Sequence, residues 1–215
     1  MFVRDRMTSP AVTITEDTPF QEALRIMREH RFHRLPVVDK KGKLIGNVSE
    51  RDLLHASPSP ASSLSVWEMN YLLWKLTVEE LMTKDVITIS PDEPIEVAAA
   101  IMVDKGIGGM PVVDKERRVV GVITETDIFK AFVEMMGSDH PGLRLMLAVP
   151  DRKGALAQLA ATIADLDGNI VSVGTFVPDN ATHADLVVKV DGVSQEQLVN
   201  ALESLGDHVV DVREM

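Results

Sequence analysis

Hydrophobic and polar positions follow one pattern twice in the first 136 residues of the chain. In the first copy, a β-prone stretch from Val12 to Ile14 leads into a helical spacing of apolar residues, with Thr18 as the predicted N-cap. Two apolar strands, 35–38 and 44–48, flank a polar turn, and a second helix begins near Ser49. The pattern predicts a β-α-β-β-α unit.

The second copy follows the first without a gap when Met7 is aligned with Met82. In that register Leu35-Pro36-Val37-Val38-Asp39 falls on Met110-Pro111-Val112-Val113-Asp114. Repeats at a fixed period indicate a repeated structural unit. Because there are two copies and not a long array, we expect a pseudo-twofold pair whose strand faces pack together.

Two further regions differ from the repeats. The segment 57–75 reads as a polar linker followed by a helix that carries Trp67, Tyr71 and Trp74 on one face, which is either a core or subunit-contact stripe or an aromatic platform for a ligand base. Residues 142–215 give the order β-α-β-β-α-β, with Ser194 as a helix cap, which is the ferredoxin-like arrangement. The predicted fold class is α+β.

A motif of the form Gly-x-x-Ser/Thr-x-x-Asp stands in each copy where the second strand turns into the second helix. A hydroxyl at a helix N-terminus favours phosphate, and an Asp one turn later can accept both hydroxyls of a ribose. Ser-x-x-Asp is also a capping-box pattern that needs no ligand. Its occurrence twice in the same frame favours a ligand site. The residues are Gly46, Ser49 and Asp52, and Gly121, Thr124 and Asp127.

Composition and net charge narrow the range of possible functions. The 215 residues carry 22 Lys and Arg against 33 Asp and Glu, a net charge of −11, which argues against binding to nucleic acid or to an anionic membrane surface. The absence of Cys excludes disulfides and thiolate catalysis. The six His have no metal-ligand spacing, so no metal site is expected, and without a signal peptide or a long apolar run we expect a cytoplasmic protein.

Residues 1 to about 135 resemble a tandem pair of CBS domains, with the domains at 1–56 and 76–136. The features that carry the resemblance are the Met-Thr openings, the Leu-Pro-Val-Val and Met-Pro-Val-Val strands and the two motifs. The resemblance implies an adenine nucleotide, such as AMP, ADP, ATP or S-adenosylmethionine, in a cleft between the copies. The Ser or Thr would contact phosphate and the Asp would contact ribose. The implied residues are Ser49, Asp52, Thr124 and Asp127, with Thr13, Thr15 and Thr88 near the base and His33, Arg34 and Arg51 near phosphate.

Residues 142–215 resemble an ACT domain, on the loop 150–156 and on Gly168-Asn169-Ile170. ACT domains commonly pair side by side and bind an amino acid at the pair interface, which implies a homodimer. An amino-acid site would then include Asp151, Gly154 and Asn169, although an empty dimerising scaffold fits the residues as well. A CBS pair followed by an ACT domain is the layout of acetoin-utilisation B-type proteins.

We therefore expect a regulatory sensor without catalytic activity or cofactor. It would bind an adenosine-type nucleotide between the CBS repeats, add amino-acid control through the ACT domain and change its contact with a protein target. The alternative is a structural subunit of an enzyme complex with vestigial pockets. A small nucleotide-converting enzyme has little support, because no nucleophile, base and metal converge in the sequence.

Overall fold

A computed structural model describes residues 1–56, 75–176 and 183–215 of the chain. All but the last residue of the predicted linker 57–75, including Trp67, Tyr71 and Trp74, lies outside these residues. The chain divides into two compact units, Met1–Ile128 and Phe129–Met215.

The first repeat is a three-stranded sheet with two helices. Strand β1 runs parallel to β2, which is antiparallel to β3, so the sheet order is β1-β2-β3. Leu35, Val37 and Val48 are fully buried and pack with Ala23 and Met27 of the first helix, as the apolar spacing predicted. The elements are β1 (Ile14–Thr15), α1 (Phe20–His30), β2 (Arg34–Val38), β3 (Leu44–Ser49) and α2 (Glu50–Ala56).

The second repeat has the same order of elements. A single parallel bridge from Ile89 to Val112 stands where β1 pairs with β2 in the first repeat, through Ile14 and Val37. The predicted β-α-β-β-α repeat is confirmed. The elements are α3 (Ile95–Lys105), β4 (Gly109–Val113), β5 (Val119–Thr124) and α4 (Glu125–Met135), and the boundary between the two units falls within α4.

The predicted N-cap of the first helix is wrong. Helix α1 begins at Phe20, and its N-cap is Pro19, whose side chain makes no capping hydrogen bond. The hydroxyl of Thr18 instead accepts the backbone N–H of Thr15 at 3.1 Å. Thr18 therefore closes the turn that precedes the helix, one residue too early to cap it.

The two repeats exchange their first segments. A single 3₁₀ turn, Val3–Asp5, precedes the first repeat, yet Val3 is fully buried in the core of the second repeat beside Ile89 and Met102. The matching turn, Val78–Glu80, buries Val78 in the core of the first repeat. Each repeat therefore completes its core with residues from the segment that begins the other.

The glycine of each motif makes room for this exchange. A Cβ added at Gly121 would lie 2.5 Å from Sδ of Met7, and one added at Gly46 would overlap Sδ of Met82. Each methionine belongs to the segment that leads into the opposite repeat. Close packing between the repeats, without any ligand, therefore accounts for Gly46 and Gly121.

The second unit contains a four-stranded antiparallel sheet in the order β7-β8-β6-β9, covered by two helices. The buried core joins Leu145 and Leu147 of the sheet to Leu159 and Leu198 of the helices. The β-α-β-β-α-β order is confirmed, and Ser194 caps the second helix of this unit as predicted. The elements are β6 (Leu143–Pro150), α5 (Ala155–Asp165), β7 (Asn169–Phe176), β8 (His183–Asp191), α6 (Gln195–Ser204) and β9 (His208–Glu214).

Candidate functional site

In both motif turns the Asp carboxylate caps the start of the helix, and in the first repeat the backbone N–H of Asp52 also donates to the Ser49 hydroxyl at 3.2 Å, which completes a capping box. Oδ2 of Asp52 accepts the backbone N–H of Ser49 at 2.9 Å and its hydroxyl at 2.6 Å. Oδ2 of Asp127 accepts the same groups of Thr124 at 2.9 and 2.7 Å. These bonds satisfy N–H groups at the start of each second helix, which the helix itself cannot do. The capping alternative considered for the motif is therefore present in the structure.

Capping occupies one oxygen of each carboxylate. Across the described ranges, Oδ1 of Asp52 and Oδ1 of Asp127 accept no hydrogen bond. A carboxylate has acceptor capacity on both oxygens. The cap fixes the position of each carboxylate and leaves its second oxygen without a donor, so capping and a contact to a sugar hydroxyl are compatible.

A cavity of about 500 Å³ lies between the two repeats, inside the first unit. Ligand pockets in proteins are typically about 300–1,000 Å³. Its apolar lining includes Val12 and Pro36 of the first repeat and Val122 of the second. The lining residues are 8, 11, 12, 31–34 and 36 from the first half of the unit, and 108, 122 and 124–126 from the second.

The cavity carries more positive than negative side chains, although the chain as a whole has a net charge of −11. Arg31, Arg34 and Glu125 are the Arg and Glu residues of its lining. Arg34 is half-buried and donates through Nη1 to the backbone oxygen of Gly109 at 2.6 Å, which joins the two repeats. His33 is largely exposed, and its Nδ1 lies 3.0 Å from Oε2 of Glu50.

Three of the residues predicted for the nucleotide site line this cavity, namely His33 and Arg34 from the first repeat and Thr124 from the second. Asp127 holds Thr124 but does not line the cavity. The Thr15 hydroxyl donates to Asp17, and this bond lowers the pKa of the Asp17 carboxyl. The other predicted residues outside the lining are Ser49, Arg51, Asp52, Thr13 and Thr88.

The sequence interpretation did not include several lining residues. Thr8 and Ala11 reach the cavity because the first segment of the chain crosses to the second repeat, where Thr8 bridges Val122. Glu125 and Thr126 follow Thr124 at the start of α4. The motif itself was the available signal for Glu125 and Thr126, whereas Thr8 and Ala11 depend on the exchange of segments.

A smaller cavity of about 200 Å³ lies in the second unit, at the loop between β6 and α5. Asp151 and Gly154, predicted for an amino-acid site, line it together with Arg152. Asn169 does not line it and pairs with Asp191 at the start of β7.

One carboxyl in the second unit has a perturbed pKa. Burial raises the pKa of Asp207, and the nearby charge of Arg152 opposes this shift. Asp207 is buried, with 6% of its surface exposed. Ionisation of Asp207 is therefore less favourable in the folded chain than in water.

Neither a metal-binding cluster nor a membrane-spanning helix occurs among the described residues. No cluster of three or more His, Asp or Glu there has the geometry to hold a metal ion. None of the helices in the described ranges is both long enough and apolar enough to cross a bilayer.

Family models assign both parts of the chain. The CBS domain model matches residues 3–59 and 78–134, and the TTHA0829-like ACT domain model matches residues 141–213. The chain belongs to the CBS domain family, as a tandem CBS pair followed by an ACT domain. Both are regulatory modules.

Three solved structures resemble the CBS pair. The CBS domain pair of protein MJ0100, in complex with 5′-methylthioadenosine and S-adenosyl-L-methionine, is 35% identical, covers 65% of this chain and 98% of that one, and has a TM-score of 0.52. A putative acetoin utilization protein (AcuB) from Vibrio cholerae is 29% identical over 65% and 95% of the chains, with a TM-score of 0.54. CBSX2 from Arabidopsis thaliana, in complex with AMP, is 26% identical over 62% and 96%, with a TM-score of 0.52.

Curated relatives match the same region. A CBS domain-containing protein of Dictyostelium discoideum is 32% identical over 136 residues, which are 63% of this chain and 94% of that protein. An L-aspartate semialdehyde sulfurtransferase of Methanocaldococcus jannaschii is 36% identical over 130 residues, and a homoserine O-acetyltransferase of Methanohalobium evestigatum is 38% identical over 133. The match covers 60% and 62% of this chain but only 23% and 24% of these two enzymes.

Proposed function

We propose that this protein is a non-catalytic regulatory sensor that binds an adenosine-type ligand in the cavity between its CBS repeats. The observation that carries the proposal is the cavity itself, of about 500 Å³, whose lining includes Thr124 from the motif of the second repeat and Arg34 from the first repeat. The CBS pairs of similar proteins have been solved with 5′-methylthioadenosine, S-adenosylmethionine and AMP. All three ligands share adenosine.

The arrangement of the cavity supports this ligand class. Val12, Pro36 and Val122 offer apolar surface to a base. The start of α4, at Thr124 and Glu125, brings a hydroxyl and a helix N-terminus to the same space. In the proposal Thr124 turns its hydroxyl from the Asp127 carboxylate to the ligand, and Asp127, which does not line the cavity in this structure, reaches the ribose with its second oxygen when the ligand binds.

Regulation follows from the way the repeats are joined. Ligand contacts from both halves of the unit favour one relative arrangement of the repeats over others. Coupling between a ligand site and a distant surface is typically about 1–3 kcal/mol. In the proposal this coupling alters contact with a protein target, while the ACT domain forms a homodimer and adds amino-acid control at the cavity beside Asp151.

Neither the chemistry of the cavity lining nor the length shared with enzymes favours catalysis. Within the described lining no hydroxyl is hydrogen-bonded to His33 or Glu125, and the Thr124 hydroxyl donates to Asp127, a helix cap that lies outside the lining. The enzymes among the relatives share less than a quarter of their length with this chain. We therefore assign the shared part to ligand sensing.

Thermal and urea unfolding with AMP, ADP, ATP and S-adenosylmethionine test the proposal. A ligand at one hundred times its Kd should add about 2.7 kcal/mol to the free energy of unfolding. Asp127→Asn keeps an oxygen that can accept the Thr124 N–H but removes the charge, so it should reduce the ligand response more than it reduces stability. Asp52→Asn is the matched variant of the other repeat.

Three results contradict the proposal. A full ligand response in both Asp variants would show that the motif carboxylates do not contribute to the ligand site. No response to any adenosine compound, together with stable copurification with a larger enzyme, would favour the structural subunit. Turnover of a nucleotide over hours, lost in the same variants, would favour an enzyme.

A further inference from the structure

Two side chains of opposite charge flank the backbone of Gly108 in the cavity. A Cβ added at Gly108 would lie 3.1 Å from Oε2 of Glu125 and 3.6 Å from Nη2 of Arg34. Gly108, Glu125 and Arg34 all line the cavity. Because Gly108 has no side chain, both charged groups approach the same point.

Glu125 and Arg34 lie close together but are not joined by a hydrogen bond. Arg34 donates through Nη1 to the backbone oxygen of Gly109, and the Glu125 carboxylate accepts no hydrogen bond from any residue that the structure describes. No ion pair joins Glu125 to Arg34, or either of them to another described residue. A guanidinium with free N–H groups and a free carboxylate therefore face one space.

Comparison of the two repeats shows what is missing at this position. In the repeat alignment His33 falls on Gly108 and Glu50 falls on Glu125. In the first repeat the His33 ring lies 3.0 Å from the Glu50 carboxylate. In the second repeat Gly108 leaves the equivalent carboxylate, Glu125, without that partner. A cationic group of a ligand can take the place that His33 takes beside Glu50.

The chemistry of a matching ligand follows from both charges. A phosphate dianion gains an Arg34 contact but approaches a like charge at Glu125, which is unfavourable in a partly desolvated cavity. A neutral nucleoside uses neither group. An α-amino acid group offers a carboxylate to Arg34 and an ammonium to Glu125. We propose that this cavity selects an adenosine ligand with an amino-acid tail, the S-adenosylmethionine class, over adenine nucleotides; this rests on the proposed adenosine site.

Isothermal titration of the full chain with three probes tests the selection. S-adenosylhomocysteine, 5′-methylthioadenosine and AMP share adenosine and differ at the 5′ position, where they carry an amino-acid tail, a methylthio group and a phosphate. The homocysteine compound has a neutral sulfur, so it isolates the tail from a sulfonium charge. We expect it to bind more tightly than both other probes.

Three variants test whether Glu125 and Arg34 cause the preference for the amino-acid tail. Glu125→Gln should lower the preference for S-adenosylhomocysteine over AMP about tenfold, the equivalent of roughly 1.4 kcal/mol. Arg34→Gln should weaken both of these ligands relative to 5′-methylthioadenosine. Glu96→Gln removes an exposed carboxylate in the first turn of α3, which does not line this cavity, and should leave the preference unchanged.

Failure of this inference is distinguishable from failure of the proposed function. If the wild-type chain binds AMP at least as tightly as S-adenosylhomocysteine, the adenosine site stands and the selection is wrong. The selection is also wrong if Glu125→Gln leaves the preference intact or if Glu96→Gln removes it. If none of the three probes binds, the adenosine site itself is refuted.

Discussion

Gly46→Ala tests how the two repeats hold each other's first segment. A Cβ at this position would overlap Sδ of Met82 and would lie 2.9 Å from its Cγ and 3.2 Å from its Cβ. Carbon atoms pack best at about 3.5–4.0 Å, so the added methyl group overpacks the contact. Overpacking of a core costs about 1–3 kcal/mol. Because all three atoms belong to one flexible side chain, we expect a cost in the lower half of this range.

Gly121→Ala should cost more than Gly46→Ala. Its Cβ would lie 2.5 Å from Sδ of Met7 and also 3.0 Å from the backbone oxygen of Thr8. That oxygen accepts the N–H of Val122 at 3.1 Å. Met7 can change rotamer, but the Thr8 carbonyl cannot move without breaking the bridge between the repeats. We therefore expect the upper half of the same range, about 2–3 kcal/mol.

Urea unfolding followed by circular dichroism measures both costs. In a double-mutant cycle, Met82→Ala should remove most of the cost of Gly46→Ala, which corresponds to a coupling of about 0.5–3 kcal/mol. Met7→Ala should remove only part of the cost of Gly121→Ala. Gly174→Ala in β7 is the matched control, because its Cβ would meet its nearest atom, Cε2 of Phe176 in the same strand, at 3.8 Å.

Two outcomes would refute this account of the glycines. The first is a Gly46→Ala variant that loses no more stability than Gly174→Ala. The second is a cost of Gly46→Ala that is unchanged in the Met82→Ala background. In either case the methionine does not occupy the space over the glycine, and the motif glycine would need another explanation.

Three further predictions concern burial. Val3→Ala should cost about 1.5–3 kcal/mol despite its place near the start of the chain, whereas Val103→Ala, at 84% exposed, should cost almost nothing in the same urea unfolding. Burial raises the folded-state pKa of Asp207 above 3.8, so its contribution to stability is fully present below 3.8 and is lost as pH rises through the folded pKa. Asp207→Asn should therefore gain stability relative to the wild type as pH rises from 3 to 7 in a pH series of unfolding curves, and a constant difference would contradict this. Asn47→Val, which copies the equivalent Val122, should raise the melting temperature, because Oδ1 of Asn47 is buried without a partner among the described residues; a lower melting temperature would contradict it.

The local sequence pattern was sufficient to predict most of the helices and strands. Ser194 was predicted to cap its helix, and its side chain does so, because a cap depends on residues three positions apart in the sequence. The prediction for Thr18 failed by one position, because Pro19 with its extended backbone takes the cap position. In the motif, the bonds of Thr124 and Asp127 likewise follow from local spacing.

The candidate site was harder to predict, because its residues come from both repeats. Sequence reasoning grouped Ser49 with Asp52 and Thr124 with Asp127, and the cavity instead joins Thr124 to His33 and Arg34. The opposite charges of Arg34 and Glu125 could not be matched from sequence, since they are distant in the chain and meet only over Gly108.

The sequence by itself determined that the chain has two equivalent repeats and a third region with a different order of strands and helices. It could do so because strand and helix periods and helix caps depend on residues that are close together in the sequence. Only the tertiary structure decided which repeat has its core completed by the segment that begins each repeat. Hydrophobicity requires that Val3 and Val78 be buried, but it is non-directional, and the two repeats offer similar apolar faces. The exchange, and with it the cavity lining from Thr8 to Thr126, follows from how these faces pack in three dimensions.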